Sequence, residues 1–144
     1  MKAYESHESA ENYLESILIL SMNQPYVHSI DIANMMNFSK PSVSIAMKHL
    51  REEGKIIMDE KGCITLTETG LLLAKSTYEK HVLITDMLVS LGVSSYTAAQ
   101  DACRIEHVLS PESFRKLSEH YEKAHHEKSD ELERIRNFHN NPAV

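Results

Sequence analysis

At 144 residues the chain can form one ordinary domain or two small ones sharing a core. Hydrophobic residues make up 42% and charged residues 25%, as in soluble globular proteins, while four Gly and four Pro are too few for a loop-rich all-β fold or a disordered linker. The net charge of −6 leaves room for a basic nucleic-acid face only on an otherwise acidic molecule, and nine histidines need a reason of their own.

The first helical pattern runs from Ser9 to Met22, with Tyr13, Leu14, Ile17 and Leu18 on its apolar side and Ser6 or Ser9 as N-cap. Asn23-Gln24-Pro25 ends it. A short helix from Ser29 to Met36 turns Ile30, Ala33 and Met36 inward, and Asn37-Phe38 makes a tight turn. Ser39 then caps a third helix, with Pro41 in its first turn where a missing N–H costs nothing. Val43, Ala46, Met47 and Leu50 fall at i, i+3, i+4 and i+7, and Gly54 stops the helix. Its other face carries Lys40, Ser42, Ser44, Ile45, Lys48 and Arg51.

Two short strands, Ile56 to Met58 and Cys63 to Leu66, flank the turn Asp59-Glu60-Lys61-Gly62, where Gly accepts positive φ. Thr67 caps a long helix reaching about Leu91 and closed by Gly92. Further helices cover about Ser95 to Leu109, from Ser110-Pro111-Glu112 with Phe114, Leu117 and Tyr121 on the apolar side, and about Asp130 to Phe138 before a frayed tail. The chain is therefore mainly α, a winged helix-turn-helix over residues 1–72 followed by an all-helical dimerisation domain over residues 73–144.

No apolar run approaches the roughly 20 residues that span a bilayer. The N-terminal residues lack the apolar stretch of a secretory signal. Cys63 and Cys103 are too far apart in sequence to look like a disulfide framework. The expectation is a cytoplasmic protein with both thiols reduced and no membrane partner.

A helix-turn-helix lays its second helix in the DNA major groove. Ser39, Lys40, Pro41, Ser42 and Ser44 suit the N-terminal end of such a helix: small hydroxyls permit close approach, and Lys40 and Lys48 can pair with phosphate. Lys61 at the hairpin tip can reach a neighbouring phosphate. Taken alone, Ser-Lys-Pro-Ser also reads as a solvated helix start. The complete element order favours DNA.

On a helix, Cys103, Glu106 and His107 stand at i, i+3 and i+4, so thiolate, carboxylate and imidazole share a face that can hold a divalent transition ion. The plain alternative is an amphipathic helix with a half-buried Cys and a surface Glu-His pair. The run from Cys103 to Ser110 resembles the metal-binding helix of the diphtheria toxin repressor family, which includes the iron-dependent repressors and the manganese transport regulators. The resemblance extends through the runs from Glu11 to Glu15, Ser39 to Ser44, Leu66 to Gly70 and Glu79 to His81. The chain stops where longer members continue into a third domain, and in this it is similar to the short manganese-regulator branch.

The resemblance implies a homodimer that binds a palindromic double-stranded operator and represses metal-uptake genes when Fe(II) or Mn(II) is bound, with Zn(II) or Co(II) able to substitute in vitro. It implies the ligands Glu15, His81, Cys103, Glu106 and His107, with Asn12 at the first-helix ligand position. Cys103 matches the iron branch and Glu15 the manganese branch, so the set is a hybrid. Thr85 and Ala99 occupy positions of the iron branch's ancillary site, and neither is a useful ligand. The remaining histidines, His125-His126 included, read as surface residues. A winged-helix regulator sensing oxidation through Cys103 is one rival reading, and a metal-buffering or structural helical dimer is another. A metalloenzyme is a third. No positioned nucleophile, loop-borne base or cleft signature supports it, and no small-molecule substrate is expected.

Overall fold

The computed structural model describes residues 2–124 and 130–140, and of residues 2–7 the backbone alone. The elements are α1 (Lys2–Asn23), α2 (Ser29–Met36), α3 (Lys40–Glu52), β1 (Ile56–Met58), β2 (Ile64–Leu66), α4 (Glu68–Ser90), α5 (Ser95–Val108), α6 (Pro111–Ala124) and α7 (Asp130–Asn137). They form two compact units, Met1–Lys75 with Phe138–Val144, and Ser76–Asn137. Among the described residues no helix is long and apolar enough to cross a membrane.

In the first unit α1 packs against α2, α3 and β2, and α3 also meets β1. Leu14, Ile17 and Leu18 of α1, Ile32 of α2, and Val43, Met47 and Leu50 of α3 are all buried. Tyr13 meets Phe38 edge-on at 5.9 Å, tying α1 to the turn after α2. Burial pushes the Tyr13 hydroxyl pKa up.

Local chemistry sets the boundaries. Asn37 takes the left-handed conformation (φ 55°) that ends α2. The Ser39 hydroxyl accepts from the Ser42 amide at 3.3 Å, which caps α3. β1 and β2 pair antiparallel with Ile57 opposite Thr65. In the turn between them the Asp59 carboxylate accepts from the amides of Lys61 and Cys63, each at 2.9 Å, and Gly62 sits at φ +80°. The Thr67 hydroxyl donates to the Gly54 carbonyl at 2.7 Å, and its oxygen accepts from the Gly70 amide at 3.1 Å. The start of α4 is thus fastened to the end of α3. Gly70 is required there, because a Cβ would overlap the Lys55 carbonyl.

Two expectations are corrected. α1 starts at Lys2 rather than Ser9, so neither Ser6 nor Ser9 caps it. The preceding residues are rich in Ala, Glu and Lys and lack Gly and Pro, so nothing stops the helix propagating backwards. In α2 the buried stripe is centred between Ile32 and Ala33, which leaves Ile30 42% exposed. The expected apolar side of α6 is only partly covered, with Phe114 and Tyr121 half-buried and Leu117 exposed. The His125-His126 expectation lies outside the described residues.

In the second unit Leu83, Ile84, Ala98 and Ala102 are buried, and polar and aromatic links add to them. Tyr78 on α4 donates its hydroxyl proton to Glu131 on α7 at 2.9 Å. Arg136 on α7 approaches Glu79 of α4 at 3.8 Å and Glu122 of α6 at 3.5 Å. The Lys80 ammonium lies 5.9 Å from the centre of the Phe114 ring, within cation–π range. Leu132 and Ile135 bury the apolar side of α7.

Candidate metal centre and nucleic-acid face

In the first unit, α3 divides cleanly into two faces. Val43, Met47 and Leu50 are buried, whereas Lys40, Pro41, Ser42, Ser44, Ile45, Lys48 and Arg51 are exposed. No acid lies in its first turn, so the amide dipoles and Lys40 present positive potential there. Lys61 is exposed on the hairpin turn, its amide held by Asp59. The structure thus keeps every residue expected at the nucleic-acid face on the surface.

The candidate metal residues in the second unit lie on α4 and α5. His81 stands in the middle of α4, and its Nδ1 lies within hydrogen-bonding distance of Glu106 Oε2 on α5, at 2.9 Å. On the other carboxylate oxygen, Oε1, His107 Nε2 approaches to 3.4 Å. Glu106 is 1% exposed, among the most buried side chains of the chain. The His107 side chain is as deeply buried, and that of His81 is 23% exposed. A carboxylate taken this far from water needs compensating positive charge, strong donors or a metal ion. Two imidazoles flanking one carboxylate form a mixed nitrogen and oxygen donor set, which suits a divalent first-row transition ion. The donor chemistry therefore fits such an ion, and ligand atoms of His81 and Glu106 lie within 4.8 Å of each other.

The other expected ligands are placed differently. Cys103, one turn before His107 on α5, is exposed. In the first unit, Glu15 is a buried acid of α1 at 9% exposure, and Asn12, one turn earlier, is half-buried. Thr85 donates its hydroxyl proton to the His81 carbonyl at 2.7 Å, which occupies it with helix backbone. Tyr78 escaped sequence reasoning: its ring lies 6.4 Å from that of His81, and its hydroxyl is held by Glu131. The i, i+3 spacing from Tyr78 to His81 was the available signal, but Glu131 lies 53 residues further along and offers none.

Two family descriptions match the chain. Residues 6–63 match the iron dependent repressor N-terminal DNA binding domain, and residues 67–131 match the iron dependent repressor metal binding and dimerisation domain. An uncharacterised HTH-type transcriptional regulator of Methanocaldococcus jannaschii is 35% identical, over 81% of this chain and 94% of that protein. The HTH-type transcriptional regulator MntR of Lysinibacillus sphaericus is 29% identical, over 77% of this chain and 80% of its own length. The solved structure of the manganese regulator SloR superposes with a TM-score of 0.70 at 31% identity, covering 78% of this chain. The match spans 53% of that protein, about half its length.

Proposed function

This chain belongs to the iron dependent repressor family, that of the diphtheria toxin repressor and the manganese regulators, and from that premise we propose that it is a homodimeric, cytoplasmic repressor of metal-uptake genes, activated by Fe(II) or Mn(II). Its members are transcriptional regulators rather than enzymes. The observation that carries the proposal is the buried His81–Glu106–His107 cluster, in a chain whose other unit has the outward-facing α3 and hairpin wing of a DNA reader.

The proposed ligands are His81, Glu106 and His107, and Glu15 on α1 is the carboxylate ligand that the family resemblance implies. Cys103 serves as an outer donor from its exposed position, and Asn12 can offer only a neutral amide oxygen. A bound divalent ion would supply positive charge to buried carboxylates. Glu106 Oε2 lies 2.9 Å from His81 Nδ1, so carboxylate and imidazole are already brought together as neighbouring donors. Tyr78 beside the ring and Glu131 behind Tyr78 limit its motion. Ser39, Lys40, Pro41, Ser42, Ser44, Lys48 and Lys61 meet the operator, the lysines pairing with phosphates and the hydroxyls approaching base edges. Linkage requires that whatever free energy metal lends to DNA binding, DNA lends equally to metal binding, typically about 1–3 kcal/mol.

The test is DNA retardation with metal-free protein and promoter fragments of metal-uptake genes, titrated separately with anaerobic Fe(II), Mn(II), Zn(II) and Co(II). Retardation that appears with Fe(II) or Mn(II) at micromolar concentration supports the proposal and identifies the metal. Retardation indifferent to every ion refutes metal activation.

A further inference from the structure

Nothing in the packing of α3 calls for isoleucine at position 45. Ile45 is 59% exposed, whereas Val43, Met47 and Leu50 are at most 2% exposed. With 3.6 residues per turn, those three lie about 140–160° around the helix from Ile45, so its side chain points away from the core. Helix stability does not ask for it either, because a β-branched residue is stiff at χ1 and has only moderate helix propensity. Its neighbours on the outer face are Pro41, Ser42, Ser44 and Lys48, all exposed. Ser44 and Lys40 also border a surface depression of about 230 Å³, shared with Ser29 and Ile30. Ile45 therefore stands as an apolar tip among the exposed Ser42, Ser44, Lys40 and Lys48, with the exposed His49–Glu52 pair further along the same face.

On the reading of α3 as a major-groove helix, on which this inference rests, we propose that Ile45 recognises the C5-methyl group of a thymine in each operator half-site. Base edges in the major groove offer hydrogen-bond donors, acceptors and one apolar group, the thymine methyl. Ile45 has no polar atom with which to satisfy the donors and acceptors, and it would leave them desolvated. Against the methyl it excludes water from two apolar surfaces at once. Lys40 and Lys48 carry the charge complementarity that brings this face to DNA, and Ser42 and Ser44 remain available to phosphates or polar base edges. Ile45 thus contributes sequence preference, and the lysines contribute affinity that does not depend on sequence.

The experiment begins by selecting duplexes from a random library with the full chain and Mn(II) or anaerobic Fe(II). Each thymine of the enriched half-site is then replaced in turn by deoxyuridine, which removes the methyl and nothing else. At one position per half-site the replacement weakens the wild-type protein about fourfold, the worth of one buried methyl. Ile45→Ala, folded as shown by an unchanged melting curve, binds the thymine duplex more weakly and no longer distinguishes thymine from uracil there. Ile45→Val retains the distinction. An Ile45→Ala protein that keeps the full thymine preference overturns the assignment, as does a wild type with no uracil-sensitive position. Failure to enrich any duplex defeats the DNA-binding reading, and the assignment with it.

Discussion

In the first unit the buried side chains run from Leu14, Ile17 and Leu18 through Ile32, Val43 and Met47 to Ile56, Ile64 and Leu66, with Glu15 and Ser16 as the polar exceptions. The second unit also buries apolar groups, among them Leu83, Ala98, Ala102 and Ile135, but it buries Glu106 completely. It also leaves Leu91, Tyr96 and Val108 exposed at 80%, 76% and 64%. The first unit meets the requirements of folding from within, by apolar burial and by turns whose amides find Asp59 and Thr67. The second encloses a carboxylate between two imidazoles, a donor set that an ion can use. Exposed apolar side chains occur in both units, Ile45, Ile57 and Leu72 among them in the first. Stability supplied by a ligand varies with its concentration, so the second unit should respond to metal more than the first.

The largest effect expected from a single change lies in the first unit. Leu14→Ala removes a side chain that is 1% exposed, and truncating a buried leucine costs about 2–5 kcal/mol. Denaturant unfolding should show that loss in full, and added metal should leave the protection of α2 and α3 amides from hydrogen exchange unrestored. Full rescue by metal would break the contrast between the units. Next in size, Glu106→Ala should lower metal affinity by at least about 10–100-fold, the loss commonly seen when even an outer-shell carboxylate is removed. Chelator competition measures it. The shape-preserving Glu106→Gln should fail similarly while melting like the wild type, which separates loss of the charge from loss of packing.

What the sequence made legible follows the same division. The boundaries of α3 and the hairpin were readable because Ser39, Pro41, Gly54, Asp59 and Gly62 act within a few residues of themselves. Ile30 misled because α2 has only eight residues, too few turns for periodicity to fix which side faces inward. At the metal centre the i, i+3, i+4 spacing of Cys103, Glu106 and His107 placed all three on one side of α5. Spacing reports angle around a helix and not depth along it. A turn of α-helix advances about 5.4 Å, enough to leave Cys103 exposed while His107 is enclosed. The Tyr78–Glu131 bond was invisible because it is made between helices by residues with no local pattern in common.

A smaller change tests whether the first unit's local chemistry is as self-contained as its core. Ser39→Ala deletes the hydroxyl that accepts from the Ser42 amide, and loss of such a cap typically costs about 1 kcal/mol. The same substitution removes a group at the nucleic-acid face, so operator affinity should fall beyond what the fraction of unfolded protein explains. Retardation assays at a temperature well below the melting transition separate the two. An unchanged operator affinity there would confine Ser39 to capping.

The smallest effect should come from Cys103→Ser, and it sharpens the comparison inside the second unit itself. If an outer donor at an exposed position behaves like other surface groups, its replacement shifts free energies by about 0.5 kcal/mol, or roughly twofold in affinity. Mn(II) affinity should therefore move by no more than that, because serine keeps an oxygen donor where manganese prefers one. Zn(II) affinity should fall further, because the softer thiolate is lost. A loss with every ion as large as that of Glu106→Ala would place Cys103 inside the centre, and would mean that its helix turn moves inward when metal binds. A variant that keeps its metal response but loses sensitivity to peroxide would instead assign the exposed thiol to oxidation sensing. Isothermal titration of the variant with Mn(II) and Zn(II), beside Glu106→Ala, distinguishes a centre built on the buried His81–Glu106–His107 cluster from one that depends on the surface thiol.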